Sequence, residues 1–229
     1  MTSPVACPHC GSILDPPPAR TRKCPDCSQK IVRRRSGDVV RWLTEEDAQA
    51  YDEEWKAKVS LNQTMARLET MGLSPSDYER TSSHLAAEWR FTPTPHDVFS
   101  TLANQHIQKL LASGDLRAYA GDLSTAYRML ALQAWDDGTS PSHRRILQRE
   151  SHRFSILGDL ANIRAAGIDP AKWFVRTLAQ PGDCPACLEL SRLTFSLDKA
   201  PSSLVLPPEG CTCEWCRCAV VTIPSFDLG

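Results

Sequence analysis

Ten cysteines fall into two groups, with none between Cys27 and Cys184, and this spacing constrains the chain more than any other feature. The first group reads Cys7-Pro8-His9-Cys10 and Cys24-Pro25-Asp26-Cys27. The second reads Cys184-Pro185-Ala186-Cys187, then Cys211-Thr212-Cys213-Glu214-Trp215-Cys216-Arg217-Cys218. Paired thiols two residues apart, repeated after a short loop, can place four sulfurs tetrahedrally around one zinc ion. Disulfides would need an oxidising compartment. The opening residues lack the charged start and apolar stretch of a secretory signal. The expected location is therefore cytoplasmic, and the expected cofactor is Zn2+, two ions, one per cysteine group.

No apolar run approaches the ~20 residues that span a bilayer, so no membrane partner is expected. Net charge is −1, which excludes a polycation but hides an uneven distribution. Residues 1–43 carry eight cationic side chains, Arg20, Arg22, Lys23, Lys30, Arg33, Arg34, Arg35 and Arg41, against Asp15, Asp26 and Asp38. Residues 44–58 then carry six acids against Lys56 and Lys58. The reversal places a module boundary near Leu43.

Before that boundary, Ile13-Leu14-Asp15-Pro16-Pro17-Pro18 is too proline-rich for a helix. The stretches 30–33 and 39–42 flank Ser36-Gly37-Asp38 and read as a hairpin. Two knuckles and a hairpin outline a zinc ribbon, a module with too little apolar surface to fold without its metal. Trp42 is expected to pack beneath the hairpin, with base stacking as the alternative.

From Thr44 onward the texture is helical. Thr44-Glu45-Glu46-Asp47 resembles a capping box. Leu61, Met65, Leu68 and Met71 recur at helical spacing before Gly72. Ser74-Pro75 and Thr94-Pro95 each open a further helix. Leu116, Tyr119, Leu123, Tyr127, Leu130 and Ala134 make a stripe ending before Gly138, and a last helix is expected from Pro141 to Ala166. Beyond Gly167, strands are expected at 173–178, 193–197, 204–208 and 219–223. The expected fold is mainly α: a helical bundle flanked by an N-terminal zinc ribbon and a C-terminal small zinc-bound β module. Its divisions are 1–43, 44–167 and 168–229, with the last module packed on the helices.

Six thiols in the second group compete for four places around one zinc. Cys184 and Cys187 form the secure pair. Cys216 and Cys218, on either side of Arg217, are expected to point apart, which favours Cys216 as third ligand. Cys211, Cys213 and Cys218 contest the fourth place; two ions sharing bridging thiolates is the other arrangement.

Arg149-Glu150, Gly167, Lys172-Trp173, Asp183-Cys184-Pro185-Ala186-Cys187, Phe195, Leu206-Pro207-Pro208 and Cys216-Arg217-Cys218 together resemble the C-terminal part of the phage Mu F-like head morphogenesis family. Its members show a Cys-x-x-Cys pair, a Leu-Pro-Pro turn and His-x-x-Cys-Arg-Cys. The resemblance covers about residues 149–223. Here the family's histidine is Cys213, Cys211 is additional, and Arg192 or its neighbour stands where a glycine is usual. The resemblance implies a metal-binding minor capsid protein or a cellular protein reusing that module, and implies no catalysis.

A catalytic zinc needs an open coordination position and usually His or carboxylate ligands. Here the four flanking thiols suffice without His9, and His143 and His152 lie among arginines on what reads as a solvated helix face. There is no phosphate loop, nucleophile elbow or His-Glu-x-x-His. No catalytic residue is assigned. The expected function is a non-catalytic zinc-binding adaptor for nucleic acid or protein, with Arg20, Arg22, Lys23, Lys30, Arg33, Arg34 and Arg35 contacting phosphate. The alternative is a structural minor head protein; a thiol-based redox sensor or a nuclease ranks below both.

Overall fold

Short strands interrupted by the cysteine turns build the N-terminal part of the computed structural model, which describes residues 4–36 and 38–225. Strand β1 (Val5–Ala6) pairs antiparallel with β2 (Ile13–Leu14), and β3 (Arg22–Lys23), β4 (Lys30–Ser36) and β5 (Val39–Leu43) form a three-stranded antiparallel sheet with β4 in the centre. The hairpin expected from the sequence is β4–β5, with Arg33 opposite Trp42 and Arg34 opposite Arg41. Its turn residue Gly37 lies outside the described residues. Trp42 packs against the cluster of Cys7, Leu14, Cys24 and Ile31, and its indole N–H donates to the Pro18 carbonyl at 3.1 Å. It is a packing residue.

Seven α-helices are present among the described residues. Helix α1 (Glu45–Thr70) starts where the Asp47 amide donates to Thr44 Oγ1 at 3.0 Å. Ala48 is buried near its start and Leu68 near its end, and Met71 just beyond it is covered, whereas Leu61, expected on the same stripe, is exposed. Helices α2 (Pro75–Trp89) and α3 (Pro95–Ala112) open with complete capping boxes. In each, a hydroxyl at the N-cap accepts the amide three residues on, and an aspartate there accepts the N-cap amide (Ser74/Asp77, Thr94/Asp97). Helix α4 (Ala120–Asp136) begins later than the apolar stripe suggests. Leu116 and Tyr119 precede it and are exposed, because the chain between Gly114 and Ala120 turns before the helix can start. Helix α5 is Pro141–Ala165.

Compactness divides the chain between Gln63 and Thr64, inside α1, rather than at Leu43. The helices from Thr64 onward and the C-terminal strands share the second unit. There, Leu68, Val98, Phe99, Ala103, Leu123, Ala126 and Phe154 form the centre of one buried cluster. A second cluster joins Ile156 and Leu160 of α5 to Val175, Leu197 and five cysteines. Helix α5 thus carries both cores on different faces: Leu147 and Phe154, seven apart, face the first, and Ile156 and Leu160, four apart, face the second.

Strand β6 (Trp173–Leu178) is the centre of the C-terminal sheet, with β7 (Thr194–Ser196) and β8 (Ala219–Pro224) antiparallel on either side. Two short helices intervene, α6 (Pro185–Leu190) and α7 (Ala200–Ser203). The stretch 204–208, expected as a strand, is irregular, because its consecutive prolines, Pro207 and Pro208, have no amide hydrogens for a ladder. No described helix is long and apolar enough to cross a membrane.

Two substitutions test this account of the helical core. Thr94→Ala should cost about 1 kcal/mol through loss of its cap. Phe99→Ala, at a fully buried site, should cost about 3–5 kcal/mol. Urea unfolding read by circular dichroism checks both; a Phe99→Ala loss no larger than the cap's would show that the helices do not pack around Phe99.

Candidate metal centres

The two N-terminal knuckles are the same turn made twice. The Cys7 amide donates to the Ser12 carbonyl (2.8 Å) and the Gly11 amide to the Cys7 carbonyl (2.9 Å); the Cys24 amide donates to Gln29 (2.8 Å) and the Ser28 amide to Cys24 (3.0 Å). Each needs a left-handed residue four positions after its first cysteine, Gly11 at φ 76° and Ser28 at φ 62°. Glycine adopts this freely, whereas serine does so at a cost of about 1 kcal/mol.

These turns bring the four Sγ atoms of Cys7, Cys10, Cys24 and Cys27 within 4.8 Å of one another. Cys7–Cys27 and Cys10–Cys24 are each 3.9 Å apart. A tetrahedral zinc with bonds of about 2.3 Å sets its sulfurs about 3.8 Å apart, so the group can hold such an ion. The Ser12 hydroxyl, 3.2 Å from Cys10 Sγ, and then the Ser12 amide bring the Cys10 pKa down to about 6, favouring the ligating thiolate. The His9 ring is used elsewhere: its Nε2–H donates to the Lys30 carbonyl at 2.9 Å.

Seven cations were expected to face phosphate, and Lys30 and Arg34 are paired with acids of α1. Arg34 makes a two-pronged ion pair with Asp52 of α1, Nε to Oδ1 at 2.7 Å and Nη2 to Oδ2 at 2.5 Å, which raises the Arg34 pKa and lowers that of Asp52. Lys30 Nζ lies 2.7 Å from Glu45. The period of two in β4 explains both pairings, since Lys30, Val32 and Arg34 share the face that meets α1. Arg33 and Arg35 lie on the other face, Arg33 half-buried and Arg35 exposed. Arg20, Arg22 and Lys23, before the second knuckle, are exposed. Glu45 and Asp52 were not singled out from the sequence, although an acidic run directly after a basic one was the signal for them.

At the C-terminal group, the Pro185 turn opens α6 at Cys184 and carries Cys187 inward. Cys184, Cys187, Cys211 and Cys213 form one set of mutually close thiols. Cys216, favoured from the sequence as the third ligand of that set, lies instead in a triad with Cys187 and Cys218. The expectation that Cys216 and Cys218 point apart is also corrected: residues two apart in an extended segment share a face. The same periodicity puts Cys211 and Cys213 together. Cys187 Sγ is 3.4 Å from Cys184, 3.6 Å from Cys211 and 3.8 Å from Cys216. Burial, then the crowding of neighbouring thiols, pushes the Cys187 pKa up, and burial pushes Cys216 up to about 11. A cation beside them would favour their ionised forms.

Residues of the surrounding elements fix the cysteine backbone. Asp183 accepts the Gln180 amide (2.6 Å) and pairs with Arg217 (3.1 Å). The Gln148 carboxamide of α5 donates to the Cys216 carbonyl at 3.4 Å. Trp215 stands edge-on to Trp135 at 5.8 Å, and Arg144 covers the other ring system, 4.5 Å from the Trp135 centroid.

A cavity of about 390 Å³ adjoins this cluster, lined among others by Arg128, Ser151, His152, Cys216 and Cys218. His152 was expected on a solvated face. Instead it lines this cavity, and burial, followed by the charge of Arg128, lowers its pKa to about 4.

Comparison with protein-family models, curated proteins and solved structures finds no match for the chain. The likeness to the Mu F-like family therefore rests on the motif residues alone.

Because the folded pKa of His152 lies below its ordinary value of 6.5, the neutral ring favours the fold. That contribution is complete above the unfolded value and is lost as pH falls toward 4. Wild-type stability should fall more steeply than that of His152→Gln over this range, by a difference approaching roughly 3 kcal/mol. Metal loss on acidification is common to both proteins and cancels. Parallel urea midpoints across the range would show that the ring is not held neutral.

Proposed function

We propose that the chain is a non-catalytic, zinc-stabilised adaptor whose N-terminal module binds nucleic-acid phosphates. One zinc ion occupies Cys7, Cys10, Cys24 and Cys27, and another Cys184, Cys187, Cys211 and Cys213. Closed all-thiolate sites are electron-rich and lack the open position that activates water, which supports a structural role for the metal. The observation carrying the nucleic-acid reading is the exposure of Arg20, Arg22 and Lys23 beside a metal-organised turn, while Lys30 and Arg34 are occupied by Glu45 and Asp52. A rigid turn presents these cations at little further entropic cost on binding.

A second reading, a structural minor head protein of a phage-like particle, draws support from the way the motif residues meet. Arg149 Nε donates to the Pro207 carbonyl at 3.4 Å, and Arg217 pairs with Asp183 beside Cys184. Under that reading the chain sediments with assembled particles; under the first it stays in the free fraction.

Retention on duplex DNA at rising salt tests the primary reading. Three phosphate contacts give a log–log slope of roughly −3. Arg20→Ala/Arg22→Ala/Lys23→Ala should abolish retention, and Arg34→Ala should leave it largely intact. Equal retention of the triple variant and wild type would remove the phosphate reading and leave the module to protein contacts.

A further inference from the structure

We infer that the C-terminal cysteine cluster holds two zinc ions that share the Sγ of Cys187, one completed by Cys184, Cys211 and Cys213, the other taking Cys216 and Cys218. This rests on the zinc reading above and adds one ion to it. The argument begins with the two thiol sets, which have Cys187 in common. Its sulfur is the hub of the cluster, with three others at 3.4–3.8 Å. Those separations lie at or a little under the roughly 3.8 Å between ligands of one tetrahedral zinc, and a thiolate has lone pairs enough to bridge two ions.

The alternative is that Cys216 and Cys218 are only small apolar core residues, since buried thiols pack at little cost. Three observations weigh against it. The segment 211–218 has no regular secondary structure, so a ladder of backbone bonds does not explain why both thiols converge on Cys187. The Cys216 carbonyl is held from α5 by Gln148, and the neighbouring Trp215 is anchored on Trp135. Together these contacts fix the backbone on which Cys216 and Cys218 face the hub. Finally, five of the twelve buried residues in this cluster are cysteines. Six others are Val, Leu or Ile, so bulkier side chains already build the core in which these thiols gather.

Charge is compatible with two ions. Six thiolates and two dications carry a net −2, the same as four thiolates, one dication and two neutral thiols. Arg217, the cation between Cys216 and Cys218, pairs with Asp183. Two of the second ion's ligands then belong to it alone and one is shared; its fourth ligand comes from outside that triad.

Elemental analysis of the full-length protein, purified reduced with zinc, should give three ions per chain, falling to two in Cys216→Ser/Cys218→Ser. Cadmium-113 NMR of the wild-type protein after cadmium exchange provides a measurement that needs no variant. Three resonances are expected, two of them split by coupling to each other through the bridging sulfur, and the third, from the N-terminal group, unsplit. Two zinc ions per chain in both proteins, or resonances with no mutual coupling, would overturn the shared-sulfur site while leaving one ion per group. Fewer than two ions in wild type would overturn the zinc reading itself.

Discussion

Convergence of sulfurs to metal-ligand distance is the interaction on which both ends of this chain depend. In the N-terminal unit, the buried cluster around the knuckles comprises, among the described residues, Leu14, Ile31 and two cysteines, with Val5, Cys27 and Trp42 partly buried against it. Two aliphatic side chains contribute about 5 kcal/mol at most. Fixing the backbone of even a handful of residues costs as much. The two knuckles spend further free energy on a left-handed serine at position 28. A dication bound by four thiolates offsets such costs on a scale of about 10 kcal/mol or more. The turns make sense as a frame for sulfur, with the hairpin laid over it.

The helices of the second unit have no such dependence. The helical cluster contains no cysteine, and its elements start from caps that their own sequence supplies. The helical core meets the thiol-rich core through α5, whose other face belongs to the latter. Phe154 and Ile156 are two residues apart on that helix and therefore face different cores. A change in the cysteine cluster reaches the helical core through this one rigid element. It also reaches it through Trp215, which leaves the cysteine loop to pack on Trp135.

Local punctuation was the legible part of the sequence. Ser74-Pro75, Thr94-Pro95 and Ser140-Pro141 open helices where hydroxyl and proline say they should, and Gly72, Gly114, Gly138 and Gly167 follow their ends with positive φ. Strand β6 was readable from alternation, and the cysteine spacing identified both thiol groups. What could not be read is set by distances between segments far apart in the chain. Whether Cys211 or Cys216 joins Cys184 depends on how the loop after Pro208 is laid down, and spacing alone leaves several choices. His152 fails for the same reason: its helix neighbours are arginines, but its burial comes from the cysteine loop and α4.

The charge reversal after Leu43 carries the larger lesson. Read along the chain, eight cations followed by six acids look like two modules with different surfaces. In three dimensions the acids of α1 lie against the bases of β4, and Glu45 and Asp52 belong to the same unit as Lys30 and Arg34. The reversal marks complementarity inside one unit. Each pair is partly solvent-exposed, so it adds little to stability. Its effect on the surface is greater, because a guanidinium already held by two carboxylate oxygens has few donors left for a phosphate. The basic face is thereby narrowed toward Arg20, Arg22 and Lys23, beside a turn whose geometry the thiols determine. Thiols and charge meet at that turn, because Arg22 and Lys23 directly precede Cys24 in the chain.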